Sequence, residues 1–379
     1  MPTGLADRAL RRRFRRRLLT GAGLAGATAL LAAASVIIAT GGTSPKPDDD
    51  IPVLVRPTPA ATDVRADSRN SPPRHLVAAG QVALTAYYTF RTERHAGGSR
   101  TVVRTWYLYD PGKNTYRQVP YAYLEAAPGM RVAAVLEGPL PASRVGLFDL
   151  TTRKIVRWIP LDHRAGGIAW SPDGRKILVT TYDRDPDLQI PLGQSYRTGF
   201  IVIDAGTGRA GAFHPLAPYH DNMNGRQDFC WSHDGTLIWV PTAMASSPQK
   251  LFYDLNGRPR PAPPGEADAD QAAGLSPNGK YVASGPDPGY GAGPATSVRD
   301  AATGRVIAVQ RVEQLVAWAD DTHLIALNCD LKNNRCDGKG EFHNRFELVS
   351  VDGKTVVPLT GYRKNTQEPG SWEPIFTQR

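Results

Sequence analysis

Three carboxylates alternate along one stretch of the chain, Asp183, Asp185 and Asp187. Oxygen ligands at every second position are what a calcium-binding loop offers a hard cation. Pro186 interrupts the pattern, however, and the sixth position is Leu188 rather than the glycine such a loop needs for its turn. A solvated acidic loop, closed by Tyr196, is therefore the expectation. The densest polar cluster follows: Tyr219, His220, Asp221, Asn224 and Arg226. His220 has no second His or Cys at ligand spacing, so the cluster reads as exposed loop polarity or as ligand contacts rather than as a metal site. Cys329 and Cys336 lie within one loop and are expected to form a disulfide in an oxidising compartment, with Cys230 left as a buried thiol. The chain has no Gly-x-Ser-x-Gly elbow, His-Glu-x-x-His, Cys-x-x-Cys or phosphate-loop sequence. No catalytic residue and no cofactor is assigned.

These residues must be held by strands. Gly167–Trp170, Lys176–Thr181 and Phe200–Asp204 are short runs rich in β-branched and aromatic residues, bounded by Pro, Asp and Gly. They read as hairpins in series. The turn Ser171-Pro172-Asp173-Gly174 returns as Ser232-His233-Asp234-Gly235, as Ser276-Pro277-Asn278-Gly279 and, decayed, as Ala319-Asp320-Asp321. A second turn type begins at Asp110, Asp149, Asp204, Asp254, Asp300 and Asp352. Its spacing of roughly 40–55 residues suits a four-stranded unit repeated around an axis.

Trp-Ser-Pro-Asp-Gly before an apolar strand, followed by Asp-x-x-Thr-Gly at Asp204–Gly208, resembles the TolB-type β-propeller repeat, a relative of the Trp-Asp repeat. The resemblance covers about 120–360 well and 75–119 weakly. It implies an all-β fold: a six-bladed β-propeller of four-stranded antiparallel blades, or alternatively a seven-bladed one. It implies little about function, since propellers carry many unrelated activities. The propeller is expected over 75–379. Trp372–Phe376 reads as a strand without a blade, and pairing with the first blade would close the ring and cover an otherwise open edge.

The formal net charge of +9 is concentrated at the N-terminus, where Arg8, Arg11, Arg12, Arg13, Arg15, Arg16 and Arg17 oppose Asp7 alone. The remainder is near neutral, which argues against a nucleic-acid partner. Residues 18–40 carry no charge and are long enough to cross a bilayer core of about 30 Å as a helix. The sequence thus predicts a basic cytoplasmic tail (1–17), a transmembrane signal-anchor helix (18–40), a disordered Pro-rich linker (41–74) and an extracytoplasmic propeller. A cleaved twin-arginine signal, giving a secreted protein, is the alternative.

In a four-stranded meander the first and third connections emerge on one face, and the second connection and the inter-blade link on the other. The first and third here are the short stereotyped turns. The long ones, including 182–197 and 214–227, gather on the opposite face, where binding tends to live. The reading is a membrane-anchored scaffold that offers this face to a protein, peptide or glycan. The alternative is a hydrolase or lyase using carboxylates and His from those two loops.

Overall fold

The computed structural model describes residues 63–379 except 190–194, 219–225, 243–249, 268, 270–271, 287–294, 331–342 and 364–370. The expected tail, transmembrane helix and linker up to residue 62 lie outside the described residues. Among the described residues, no helix is long and apolar enough to cross a membrane.

All regular structure within this range is β. Two short strands, β1 (Val64–Arg65) and β2 (Ala78–Ala79), precede the first meander of β3 (Val82–Arg94), β4 (Arg100–Asp110) and β5 (Thr115–Val119). The second meander is β6 (Tyr123–Ala126), β7 (Val132–Leu136), β8 (Ala142–Asp149) and the first half of β9 (Lys154–Trp170). The second half of β9 opens the third meander with β10 (Lys176–Tyr182); a short β11 (Leu188–Gln189) lies in the connection to β12 (Arg197–Asp204) and β13 (Arg209–Pro215). The fourth is β14 (Cys230–Trp231), β15 (Ile238–Pro241), β16 (Lys250–Tyr253) and β17 (Pro259–Arg260). The fifth is β18 (Tyr281–Pro286), β19 (Thr296–Asp300) and β20 (Val306–Gln310), with Leu275 bridged to Val282 where a first strand would run. The last is β21 (Gln314–Trp318), β22 (His323–Cys329), β23 (Asn344–Ser350) and β24 (Val356–Pro358). All neighbours within a meander are antiparallel.

The final strand, β25 (Trp372–Gln378), returns to the beginning. It pairs antiparallel with β3 from Trp372↔Thr89 to Gln378↔Val82. Trp372 is buried between Phe346 of β23 and Tyr87 of β3, with ring centroids at 5.4 and 5.6 Å. The last meander and the first are thus joined by backbone pairing and by aromatic packing. This order, consecutive meanders shut by a strand from the opposite terminus, is that of a β-propeller.

The repeated motif has a physical reason at each residue. Trp170, Trp231 and Trp318 donate their indole N–H groups to Glu125 O, Ala169 O and Gly274 O, each on the preceding meander, at 3.0, 3.1 and 3.2 Å. Each therefore buries a large ring at a sheet boundary while its one polar atom is satisfied. Ser171 Oγ donates to Asp173 Oδ1 at 2.6 Å and accepts Lys176 N–H at 2.9 Å, locking the turn. Gly174 has φ +68°, a conformation that favours glycine. Ser232 and Ser276 repeat the pattern. In the second turn type, Asp204 accepts the N–H and hydroxyl of Thr207, and Asp300 those of Thr303.

Residues 63–74, expected as the end of a mobile linker, pack against the last and first meanders. Asp67 N–H donates to Leu359 O, and its carboxylate accepts from Asn70, Arg74 N and His75 N. Asp63, the first described residue, is held by Arg379 at the end of β25. That end also carries the β6–β7 turn, through Gly129 N–H to Gln378 O. The described N-terminus therefore sits on the short-turn face.

Candidate functional site

The long-connection face is built around β4 and the loop between β10 and β12. β4 alternates, with Val102, Arg104, Trp106 and Leu108 directed inward. Arg104 thus occupies a core-facing register. The second meander joins β7 to β8 with only residues 137–141, and the loop of the third meander runs over it as a strap. β11 pairs with β4 through Leu188↔Thr101 and Gln189↔Arg100, and Val102 N–H donates to Asp187 O at 3.1 Å.

Beneath this strap Asp187 meets two buried arginines. Arg226 grips it side-on, Nε on Oδ1 at 2.7 Å and Nη2 on Oδ2 at 3.0 Å. Arg104 Nη1 also donates to Oδ2. Arg226 Nη1 reaches Gly166 O at 2.6 Å and Asp228 Oδ2 at 3.0 Å, and its guanidinium lies 4.6 Å from the Tyr123 ring centroid. Tyr182 donates its hydroxyl to Asp228 Oδ1 and accepts Gln227 N–H, both at 2.9 Å. One cluster therefore ties together the first four meanders.

The electrostatics follow from burial and pairing. Burial alone would push the Asp187 carboxyl up; Arg104 and Arg226 more than offset it and hold the group at about 2. Both carboxylate oxygens are filled by guanidinium donors, so Asp187 has little left to offer a metal or a proton in transit. Glu125, on β6, behaves in the opposite way. Burial, with the nearby Asp228 adding to it, raises it to about 8 against the opposing Trp170 N–H bond. Its Oε1 accepts that N–H at 3.0 Å, and its Oε2 has no hydrogen-bond partner among the described residues. Burial also pushes Asp185 up; its Oδ1 accepts Asp187 N–H at 2.9 Å.

The expected acidic loop is corrected accordingly. Of its three carboxylates only Asp183 is exposed; Asp185 is half-buried and Asp187 is a structural counter-ion. Tyr196 accepts Asp183 N–H on its carbonyl and lies under the Arg184 guanidinium at 4.9 Å. Arg226, expected in an exposed cluster, is buried and paired with Asp187. Tyr219, His220, Asp221 and Asn224 lie outside the described residues, as does Cys336. Cys329 is buried at the end of β22, and Cys230 is a buried thiol outside any disulfide. Among the described residues no group of three or more His, Cys, Asp or Glu could hold a metal ion. Sequence reasoning missed Arg104, Glu125 and Asp228. For Arg104 the signal was present, since it shares parity with Val102, Trp106 and Leu108.

No protein-family model matches the chain. No curated protein matches it. Among solved structures the chain is similar to TolB from Acinetobacter baumannii, at 14% identity over 79% of this chain and 67% of that one, with a TM-score of 0.41. It is also similar to the β-propeller domain of the Trilobed protease from Pyrococcus furiosus, at 14% identity over 75% and 82%, TM-score 0.41. A third similarity is to Kuenenia stuttgartiensis hydrazine synthase, at 13% identity over 63% of this chain and 66% of that chain's length, TM-score 0.39. These overall likenesses are loose, and the β-propeller assignment rests on the meander order and on the pairing of β25 with β3.

Proposed function

We propose that the chain is a binding or scaffold module: a six-bladed propeller, anchored by residues 18–40 and displayed outside the cell membrane, that presents its long-connection face to a protein, peptide or glycan. The observation that carries this reading is the fate of Asp187. The enzyme alternative needs carboxylates from 182–197 and 214–227 as free acids or bases, and Asp187 is neutralised by two buried guanidiniums. A carboxylate held that way supports the face rather than acting on a substrate.

The test is affinity capture from membranes with the full chain as bait. The β10–β12 connection is left intact, because it carries the strap; the β13–β14 connection, with Arg226–Phe229 retained, and the β15–β16 connection are shortened instead. A partner captured by the native chain and lost on shortening supports the reading. Turnover of a glycan or peptide library by the purified chain, abolished by substitutions on this face, would replace it with the enzyme reading.

A further inference from the structure

The β3–β4 hairpin outruns its own sheet. β25 leaves β3 at Thr89 and β5 leaves β4 at Trp106, yet β3 and β4 stay paired as far as Arg94↔Arg100. Residues 91–98 are all exposed. At the tip, nothing lies within 4 Å of where a Cβ on Gly97 or Gly98 would sit. The two edges of this projection differ. The strap covers the β4 edge through Leu188 and Gln189. On the β3 edge, no described strand pairs with Phe90–Arg94. An uncovered strand edge presents a row of N–H and C=O groups to any extended chain.

The charges on this projection are unbalanced. Arg91 is answered by Glu93 at 2.7 Å. Arg94 and Arg100 stand directly opposite each other in register, so their side chains share one face. No ion pair to either is formed among the described residues. Like charges at opposed positions of a hairpin are unfavourable, and an acidic residue at either position would remove the cost. An anionic partner removes it as well.

We propose that the edge of β3 over Phe90–Arg94, which no described strand covers, with Arg94 and Arg100 beside it, accepts an extended acidic segment of another protein as an added strand. The inference rests on the binding reading above and narrows it. Main-chain pairing supplies affinity in this mode, and alternate side chains supply specificity. The side chains of the added strand that share the face of Arg94 would be the acidic ones.

The test uses the full-length chain and a fluorescein-labelled octapeptide of alternating Val and Glu, read by anisotropy. Three changes should each weaken binding at least tenfold: R94E with R100E in the protein, Gln for Glu in the peptide, and N-methylation of alternate peptide amides. The two arginines sit on an exposed tip, so the double variant should melt with the native chain; the peptide changes test the same point on unaltered protein. Unchanged affinity of the charge-reversed variant overturns the proposal. So does an N-methylated peptide that binds as well as its parent, or arginine-dependent binding to phosphatidylglycerol vesicles without peptide binding. A partner captured equally by native chain and double variant also overturns it, while leaving the broader binding reading standing.

Discussion

Asp187 and Arg226, 39 positions apart in sequence, form a side-on pair with contacts of 2.7 and 3.0 Å, and both are buried. Because Arg104 shares the same carboxylate, removing Asp187 takes a counter-ion from two buried cations at once, although Arg226 keeps Asp228. Asp187→Ala should destabilise the fold by about 3–5 kcal/mol, the usual cost of breaking a buried pair. Asp183→Ala, on the same loop but exposed, should change it by less than about 0.5 kcal/mol. Urea unfolding of the two variants beside the native chain measures the difference.

Asp187 also sets an acid limit. Its folded value of about 2 lies below the ordinary 3.8, so the pair's contribution is complete above the unfolded value and is lost as pH falls from near 4 through about 2. An Asp187→Asn chain should lack this part of the acid transition, as urea midpoints across that window would show.

Glu125 has the reverse sign. Its folded value of about 8 lies above the ordinary 4.5, so the folded state holds the proton longer and stability falls as pH rises from near 4.5 through about 8. Glu125→Gln should therefore cost little at pH 6 and should flatten the decline toward pH 9. A decline of equal steepness in the variant would assign it elsewhere.

Removal of residues 368–379 deletes β25, and with it the buried Trp372, Ile375 and Phe376. Each fully buried side chain of this size is worth about 1.5–3 kcal/mol, and β3 would be left with an open edge. The melting temperature should fall by many degrees. An unchanged melt would mean that the body does not depend on the terminal strand.

A bridge between Cys329 and Cys336 remains a proposal. Alkylation of the denatured, unreduced chain followed by mass spectrometry should label Cys230 alone; labelling of all three cysteines rules the bridge out.

The fold was legible because its turns are local. Ser171, Asp173 and Gly174 satisfy one another within a few residues, so their types alone betray the structure. The closing strand was legible too, because Trp372–Phe376 belonged to no blade and a ring of blades leaves an open edge unless it is shut. The site was not, because its partners are distant in sequence. Asp187 looks like a solvated carboxylate until Arg104, 83 positions earlier, is placed beside it. Loop composition cannot distinguish a carboxylate that faces water from one that clamps sheets together. Parity in β4 could have raised the question, since an arginine in step with Val102, Trp106 and Leu108 needs a buried counter-ion.

The place of Asp63 beside Arg379 has a bearing on how the molecule would work at a surface. A tether formed by residues 41–62 could reach at most ~75 Å when fully extended, and it would leave from the side of the tight serine and aspartate turns. With residues 18–40 embedded in a bilayer as proposed, the lipid would lie beneath those turns. The arginine-tipped hairpin would then point outward, leaving it free to meet a partner that approaches from beyond the membrane rather than along it.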